Sequence, residues 1–145
     1  MGFKAFLQLI GLCISVLIFS SVAFAEKLDS RWEYLGTYGG DMFYYDTQTL
    51  EYDSTNQIAK YWILQMNPKT KRKMESLNEL YFKTKRTKMT QLAYYENNQK
   101  MIINDFKGTD VFISPDAPSV PMINKIASRL HIAPLYKEKI PIVGN

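Results

Sequence analysis

Alternating apolar and polar positions along the chain predict a series of β-strands. The clearest segment runs from Ile58 to Met66, where apolar side chains fall on both faces, a pattern typical of a strand in the middle of a sheet. Two shorter runs surround Gly39 and Gly40, and they predict a β-hairpin over residues 31–46. Because the connections are short, the sequence indicates antiparallel neighbours.

A longer pattern from Leu77 to Phe106 predicts a second hairpin, around which the rest of the sheet is organised. Two runs rich in apolar residues, aromatic residues and threonine flank Asn97 and Asn98. Asparagine tolerates the left-handed backbone of a tight turn, so this pair is the expected reversal. The first run is too long for an average strand, and we expect it to bend or split near Thr87.

Helical spacing occurs near the end of the chain. Apolar residues from Met122 to Leu130 recur on one helix face, and Ser119 is placed to cap a helix that starts at Val120. Strands in series followed by one helix predict an α+β, mainly β fold, with about five to six antiparallel strands and one C-terminal α-helix packed across one face of the sheet.

The chain divides into three parts. Residues 1–25 resemble a secretory signal peptide, with a basic start, an apolar core and small residues before Glu26. An uncleaved membrane anchor is the alternative, and it is the only route by which this sequence would engage a membrane. Residues 26–130 form the predicted single domain, and residues 131–145 are expected to be a poorly ordered tail.

Composition narrows the class of protein. The single cysteine, Cys13, lies in the predicted signal peptide, so the mature domain has no disulfide and depends on packing for its stability. Both tryptophans and all ten tyrosines follow the signal peptide, and these large side chains suit a small β-rich domain. A formal net charge of +4, lowered by one when Lys4 is removed, is too mild to indicate nucleic acid as a partner.

The order of these features resembles the surface-adhesin protein E-like family of exported bacterial proteins. The resemblance covers residues 30–128 and rests on scattered motifs of aromatic, turn and Pro-Ser residues. The matching positions are Trp32, Tyr44–Leu50, Trp62, Glu79–Arg86, Tyr94–Lys100 and Phe112–Ser119.

The resemblance implies a sheet that is curved like part of a barrel, with the helix after the Pro-Ser turn. It also implies adhesion, since characterised family members bind host matrix and serum proteins. This chain departs from the family pattern because it lacks the cysteines that are common near Phe82 and Ala127, and because Phe112 stands where tryptophan is usual.

Two basic clusters, at residues 69–73 and 83–88, are the candidate binding surfaces. If the first arm of the long hairpin runs as one strand, Lys83 and Lys85 share a face with Tyr81, and such a face would suit an acidic glycan, an anionic headgroup or an acidic protein loop. The alternative is that these lysines protect an exposed strand edge from aggregation. The candidate residues are Lys71, Arg72, Tyr81, Lys83, Lys85, Arg86 and Lys88.

The remaining polar residues favour structural roles. Asp46 is expected to accept hydrogen bonds from the backbone amides of residues 47–49, and core packing is expected for most members of an aromatic set. A single histidine, His131, cannot assemble a usual zinc site or a convincing catalytic triad. We therefore expect no enzyme, metal or cofactor. The aromatic set is Trp32, Tyr34, Tyr44, Trp62, Tyr81 and Tyr94.

Three hypotheses for function follow. The first is an exported, non-enzymatic binding domain that contacts a host extracellular protein or an acidic glycan, in the periplasm, at the cell surface or after secretion. The second is a structural or accessory protein of the periplasm with no host ligand. The third is a β-domain that binds a small molecule. The sequence is compatible with a dimer, and it does not identify the partner.

Overall fold

A computed structural model describes residues 28–96 and 99–137. The predicted signal peptide, the two asparagines of the predicted turn and residues 138–145 lie outside the described residues. Eight strands and one helix form the described part of the chain. They are β1 (Trp32–Tyr38), β2 (Asp41–Asp46), β3 (Glu51–Asp53), β4 (Ile58–Met66), β5 (Lys73–Tyr81), β6 (Arg86–Glu96), β7 (Gln99–Ile102), β8 (Thr109–Phe112) and α1 (Val120–Arg129).

The strands form one open antiparallel sheet in the order β1-β2-β4-β5-β6-β7, which confirms the predicted fold class. Two further short strands share positions in this order: β3 pairs with β4 beyond the end of β2, and β8 pairs with β6 beyond the end of β7. Strand β4 has neighbours on both sides, as its apolar pattern predicts. The sheet has eight strands rather than five to six because the short segments β3 and β8 also pair.

The long predicted arm contains two strands instead of one. Strand β5 ends at Tyr81, residues 82–85 form a tight turn, and β6 returns beside β5 with Tyr81 paired to Arg86. Lys85 has a φ of 54°, which closes the turn in the left-handed region. The expected split is therefore real, but it lies before Thr87, and the prediction that Lys83 and Lys85 share a strand face with Tyr81 is wrong.

One face of the sheet, here called the helix face, carries the core. Alternation along the strands directs every second side chain of β2, β4 and β5 towards α1. The buried tyrosines of this core are Tyr45 and Tyr61, whereas the predicted aromatic set is half-buried or exposed, so core packing is wrong for most of that set. The core residues are Leu35, Tyr45, Ala59, Tyr61, Leu80, Ile113, Val120, Ile123, Ile126 and Leu135.

Helix α1 docks through its apolar stripe and through polar contacts at its edges. Lys125 Nζ donates a hydrogen bond to the carbonyl oxygen of Leu35 at 2.6 Å. Ser119 makes no side-chain capping bond, because its backbone is already helical (φ −76°, ψ −17°) and cannot aim the hydroxyl at the first amides. The predicted start of the helix at Val120 is correct, and the predicted side-chain cap is not.

Packing continues past the predicted domain end at residue 130. Leu135 is buried, and its amide donates to Asn124 Oδ1 at 3.0 Å. The Tyr136 hydroxyl donates to the Ile113 carbonyl oxygen at 2.7 Å, which ties this segment to the residue that follows β8. Within the described part of the predicted tail, Leu135 therefore belongs to the core and Tyr136 packs against it.

Gly108, just before β8, is a position that only glycine suits. Its φ is +68°, and a Cβ there would lie 2.7 Å from the Met89 carbonyl oxygen. We expect Gly108→Ala to lower the free energy of unfolding by about 2 kcal/mol, because left-handed strain and a backbone clash add. Gly39→Ala is the control. The φ of Gly39 is +62°, but no atom lies within 4 Å of an added Cβ, so we expect a loss of about 1 kcal/mol in the free energy of unfolding. Urea denaturation measures both changes. If the two variants lost the same free energy of unfolding, the contact between the new Cβ and the Met89 carbonyl oxygen would have no effect.

Candidate functional site

The two basic clusters lie at opposite ends of the sheet. Lys71 and Arg72 are in the loop that precedes β5, whereas Lys83 and Lys85 are in the turn that follows it. Nine residues of extended strand separate the two clusters by roughly 30 Å. The structure does not bring all the predicted binding residues together, so each cluster is a separate surface.

The face opposite α1, here called the open face, carries part of the second cluster. Tyr81 pairs directly with Arg86, and Arg86 pairs with Phe112 of β8, so the three side chains form a row across neighbouring strands. The Tyr81 hydroxyl donates to Glu79 Oε2 at 2.6 Å. That hydrogen bond, together with burial, raises the pKa of Tyr81 and keeps the phenol neutral.

The next row on the open face is a ladder of alternating charges. Register places Glu51, Lys60, Glu79, Lys88 and Asp110 side by side on five strands. Opposite charges on adjacent strands attract, and each lysine has a carboxylate on both sides. With three carboxylates and two lysines, the row places exposed Lys88 between opposite charges, which fits its structural interpretation better than a ligand-binding role.

Arg86 also has a carboxylate nearby. Its Nε donates to Asp110 Oδ1 at 2.8 Å, and both side chains are about half exposed, so this ion pair is screened by solvent. Such a pair opens at little cost when a ligand competes for the guanidinium. The Arg86 guanidinium can therefore exchange Asp110 for a carboxylate of a partner.

The turn between β5 and β6 separates its two lysines. Lys83 is exposed, and within residues 28–96 and 99–137 it has no ion pair. Lys85 turns back towards the C-terminal segment, where its Nζ lies 4.4 Å from the centroid of the Tyr136 ring. This cation–π contact gives Lys85 a packing role, and Lys83 remains as the exposed charge of the turn.

The first cluster is anchored to a nearly buried carboxylate. Asp41 accepts hydrogen bonds from Gln65 Nε2 and Asn67 Nδ2, each at 2.5 Å, and Arg72 Nη2 lies 3.6 Å from it. The bond from Gln65 and then that from Asn67 lower the pKa of Asp41. Lys71 adopts a left-handed backbone (φ 59°). The carboxylate thus holds the loop between β4 and β5 against the end of β2.

A row of exposed apolar side chains lies along the sheet edge formed by β7 and β8. Ile102 is 62% exposed and Phe112 is 55% exposed, whereas the exposed fraction of the core residues is 9% or less. Sequence reasoning missed this edge because an apolar run in a strand ordinarily indicates burial. The edge residues are Met101, Ile102, Ile103, Val111 and Phe112.

A second polar network on the open face joins residues that are distant in sequence. Glu75 is 7% exposed and accepts from the Tyr95 hydroxyl at 2.5 Å and from Lys100 Nζ. Lys100 Nζ also lies 4.7 Å from the centroid of the Trp62 ring. Because Glu75 is surrounded by its own donors, the network stabilises β5, β6 and β7 against one another.

Asp46 has the structural role that the sequence predicts. It is fully buried, and its Oδ1 accepts a hydrogen bond from the Gln48 amide at 3.0 Å. Its Oδ2 forms an ion pair with Arg31, a partner that the sequence did not reveal because it lies 15 positions earlier.

Two features are absent from the described residues, a cluster of metal-ligating side chains and a helix long enough to span a membrane. Within residues 28–96 and 99–137, no three His, Asp or Glu side chains come together in an arrangement that could hold a metal ion. In the same part of the chain, α1 is too short to cross a bilayer, and no other helix is present.

The fold is similar to that of solved bacterial proteins. No protein-family model and no curated protein sequence matches the chain. Crystal form II of Haemophilus influenzae protein E matches with a TM-score of 0.55 at 10% identity, covering 71% of this chain and 91% of that one. Protein E from non-typeable Haemophilus influenzae matches with a TM-score of 0.52 at 14% identity, covering 73% and 91%. The chain therefore has a protein E-like fold, a mainly β domain whose open antiparallel sheet carries one helix.

Proposed function

We propose that the chain is an exported, non-enzymatic domain that binds a host extracellular protein through the β7–β8 edge of its sheet. The observation that carries this proposal is the set of exposed apolar side chains along that edge. Apolar side chains that stay exposed beside an unpaired strand edge favour contact with another protein. The protein E-like fold and the family resemblance agree with a role in adhesion.

The backbone of the edge supports the same proposal. Strands β7 and β8 pair with β6 on one side only, so their outer N–H and C=O groups face away from the sheet. An extended segment of a partner can add to such an edge, with main-chain hydrogen bonds for affinity and side-chain contacts for specificity. Val111 and Phe112 would supply the apolar contacts.

The basic residues next to the edge would select an acidic partner. Arg86 pairs across strands with Phe112, and Lys83 lies at the neighbouring turn. Positive charge beside an apolar strip accelerates encounter with acidic protein segments and with acidic glycans. Lys85, Lys88 and Tyr81 belong to the same end of the sheet, and their part is to support this surface.

Binding of the mature chain to immobilised extracellular-matrix and serum proteins tests the proposal. We expect saturable binding that weakens as salt is added. Changing Val111 and Phe112 to lysine should weaken it at least tenfold, because a charge replaces each apolar contact. Changing Lys83, Lys85 and Arg86 to glutamate should weaken it about tenfold and reduce its dependence on salt.

The matched control places the same charge change at the other end of the sheet. Lys69, Lys71 and Arg72 changed to glutamate alter the net charge equally but lie far from the edge. Unchanged binding by this variant supports the assigned surface. If both triple variants lost the same binding affinity, binding would depend on the net charge of the chain and not on the position of the basic residues. A failure of the mature chain to bind any protein of the panel, or heparin as an acidic glycan, would overturn the function itself.

The charge ladder favours one alternative, a structural or accessory protein of the periplasm. A row of alternating charges across five strands stabilises the sheet through attraction between neighbouring strands. Labelling intact cells with an impermeant amine reagent separates the two functions. Modification of the lysines on intact cells supports the adhesive function, and protection until the envelope is opened supports the periplasmic one.

A further inference from the structure

A cavity of about 310 Å³ lies between the first half of α1 and the helix face of the sheet. Its walls are apolar side chains from β1, β2, β4 and α1, among them Phe43, Ile63, Met122 and Ile123. The 10-residue helix covers only part of the helix face, so the cavity opens beside the first turn of α1. Its size lies at the lower end of the range for pockets that hold small organic ligands.

Asn78 contributes a side-chain amide to this mainly apolar wall. Its side chain is 7% exposed, and its Nδ2 donates to the Ser76 carbonyl oxygen at 3.0 Å and to Ser76 Oγ at 2.8 Å. A carbonyl oxygen accepts only, so the amide group cannot be turned round. Both N–H groups of Asn78 are therefore used, and the orientation of its Oδ1 is determined.

The Oδ1 atom of Asn78 lacks a donor. Among the described residues, no N–H or O–H group donates a hydrogen bond to it, although the residue lines the cavity. Because the cavity is open, Oδ1 is accessible to water or to a ligand, and a donor on a ligand would contribute about 0.5–1.5 kcal/mol there. Other lining residues also carry hydroxyl groups. The Thr87 hydroxyl donates to the Glu79 carbonyl oxygen, Ser119 and Tyr38 are exposed, and Tyr61 is buried.

We propose that this cavity binds a small, mainly apolar molecule that carries one hydrogen-bond donor, a hydroxyl or an N–H group, directed at Asn78 Oδ1. The apolar walls would hold the body of the ligand, and Asn78 would orient it. A ligand of one or two fused rings fits the volume. The site lies on the helix face between α1 and the sheet, whereas a partner would add to the outer side of β7 and β8.

A pair of matched probes tests the hydrogen bond. Isothermal titration of the mature chain with 2-naphthol should show saturable binding, and 2-methoxynaphthalene, which has the same rings but no donor, should bind about tenfold more weakly. In Asn78→Leu the two probes should bind equally. If the native chain bound 2-naphthol and 2-methoxynaphthalene with equal affinity, the role of Asn78 would be overturned, because its Oδ1 would then accept hydrogen bonds from water only.

The location of binding has its own test, which holds even if Asn78→Leu does not fold. Met122→Trp should fill the cavity and abolish binding of 2-naphthol, because Met122 lines it. Phe112→Trp adds a similar bulk at the exposed edge, and it should leave binding unchanged. In NMR spectra of the native chain, addition of 2-naphthol should shift the methyl signals of Ile63, Ile123 and Ile126. Shifts confined to other residues, or an absence of binding, would overturn the site.

Discussion

Ile126→Ala is expected to lower the free energy of unfolding by about 3–4 kcal/mol. Ile126 is 1% exposed and sits at the centre of the contact between α1 and the sheet. Truncation removes three carbons from a packed core and leaves a void that neighbouring strands cannot close. The effect is large for this domain because the described core contains no disulfide to hold the helix in place.

Urea denaturation followed by tryptophan fluorescence measures this loss, and Ile102→Ala is the matched control. Ile102 is the same residue type but 62% exposed, so a change below about 0.5 kcal/mol is expected. Hydrogen exchange should show that the amides of α1 open first in the core variant. Similar losses for the two isoleucines would contradict the burial assigned to α1.

Arg31→Met is expected to cost about 3 kcal/mol at pH 7, because it leaves a buried carboxylate without its cation. Asp46 is fully buried and forms an ion pair with Arg31. Burial alone would raise the pKa of Asp46, but the hydrogen bonds from Arg31 and from the Gln48 amide outweigh it and hold the pKa below its usual value.

The dependence on pH distinguishes this mechanism from a simple loss of packing. In the native chain the depressed pKa makes Asp46 stabilising above pH 4, and this stabilisation is lost as the pH falls through its folded value. Without Arg31, burial dominates and raises the pKa, so the protonated form is favoured in the folded state. The deficit of Arg31→Met should therefore be smaller at pH 4 than at pH 7.

Arg86→Met is the control for this prediction. Arg86 also pairs with an aspartate, but Arg86 is 42% exposed and Asp110 is 55% exposed. An exposed pair contributes about 0–1 kcal/mol, so little change is expected at either pH. A deficit for Arg31→Met that is small, or that does not vary with pH, would show that Asp46 does not depend on Arg31.

The local sequence pattern predicted correctly the elements whose buried positions repeat regularly along the chain. Strand β4 has apolar residues on both faces, which only a central position in a sheet satisfies, and its bounds agree with the sequence prediction. The start of α1 and the Gly39–Gly40 turn follow from helix periodicity and from the left-handed backbone that glycine allows.

Local pattern failed where a residue's role depends on its neighbours across the sheet. The sequence pattern predicts that Lys83 and Lys85 belong to a strand, because no turn residue in this segment indicates that β6 returns beside β5 after four residues. Once that turn is made, Lys85 meets Tyr136, which lies 51 positions later in the chain. A similar contact over distance explains why the cluster around Glu75 was missed.

The sequence by itself determined the class of fold, the central strand, the single helix and the two basic clusters, because periodicity and turn chemistry act over a few residues. Only the tertiary structure decided which charges are neutralised, which apolar residues stay exposed and where a cavity opens. Register places Lys88 between two carboxylates, leaves Phe112 at an edge and sets Asn78 beneath a helix too short to cover it. These properties depend on strand pairing over distances that no local pattern encodes.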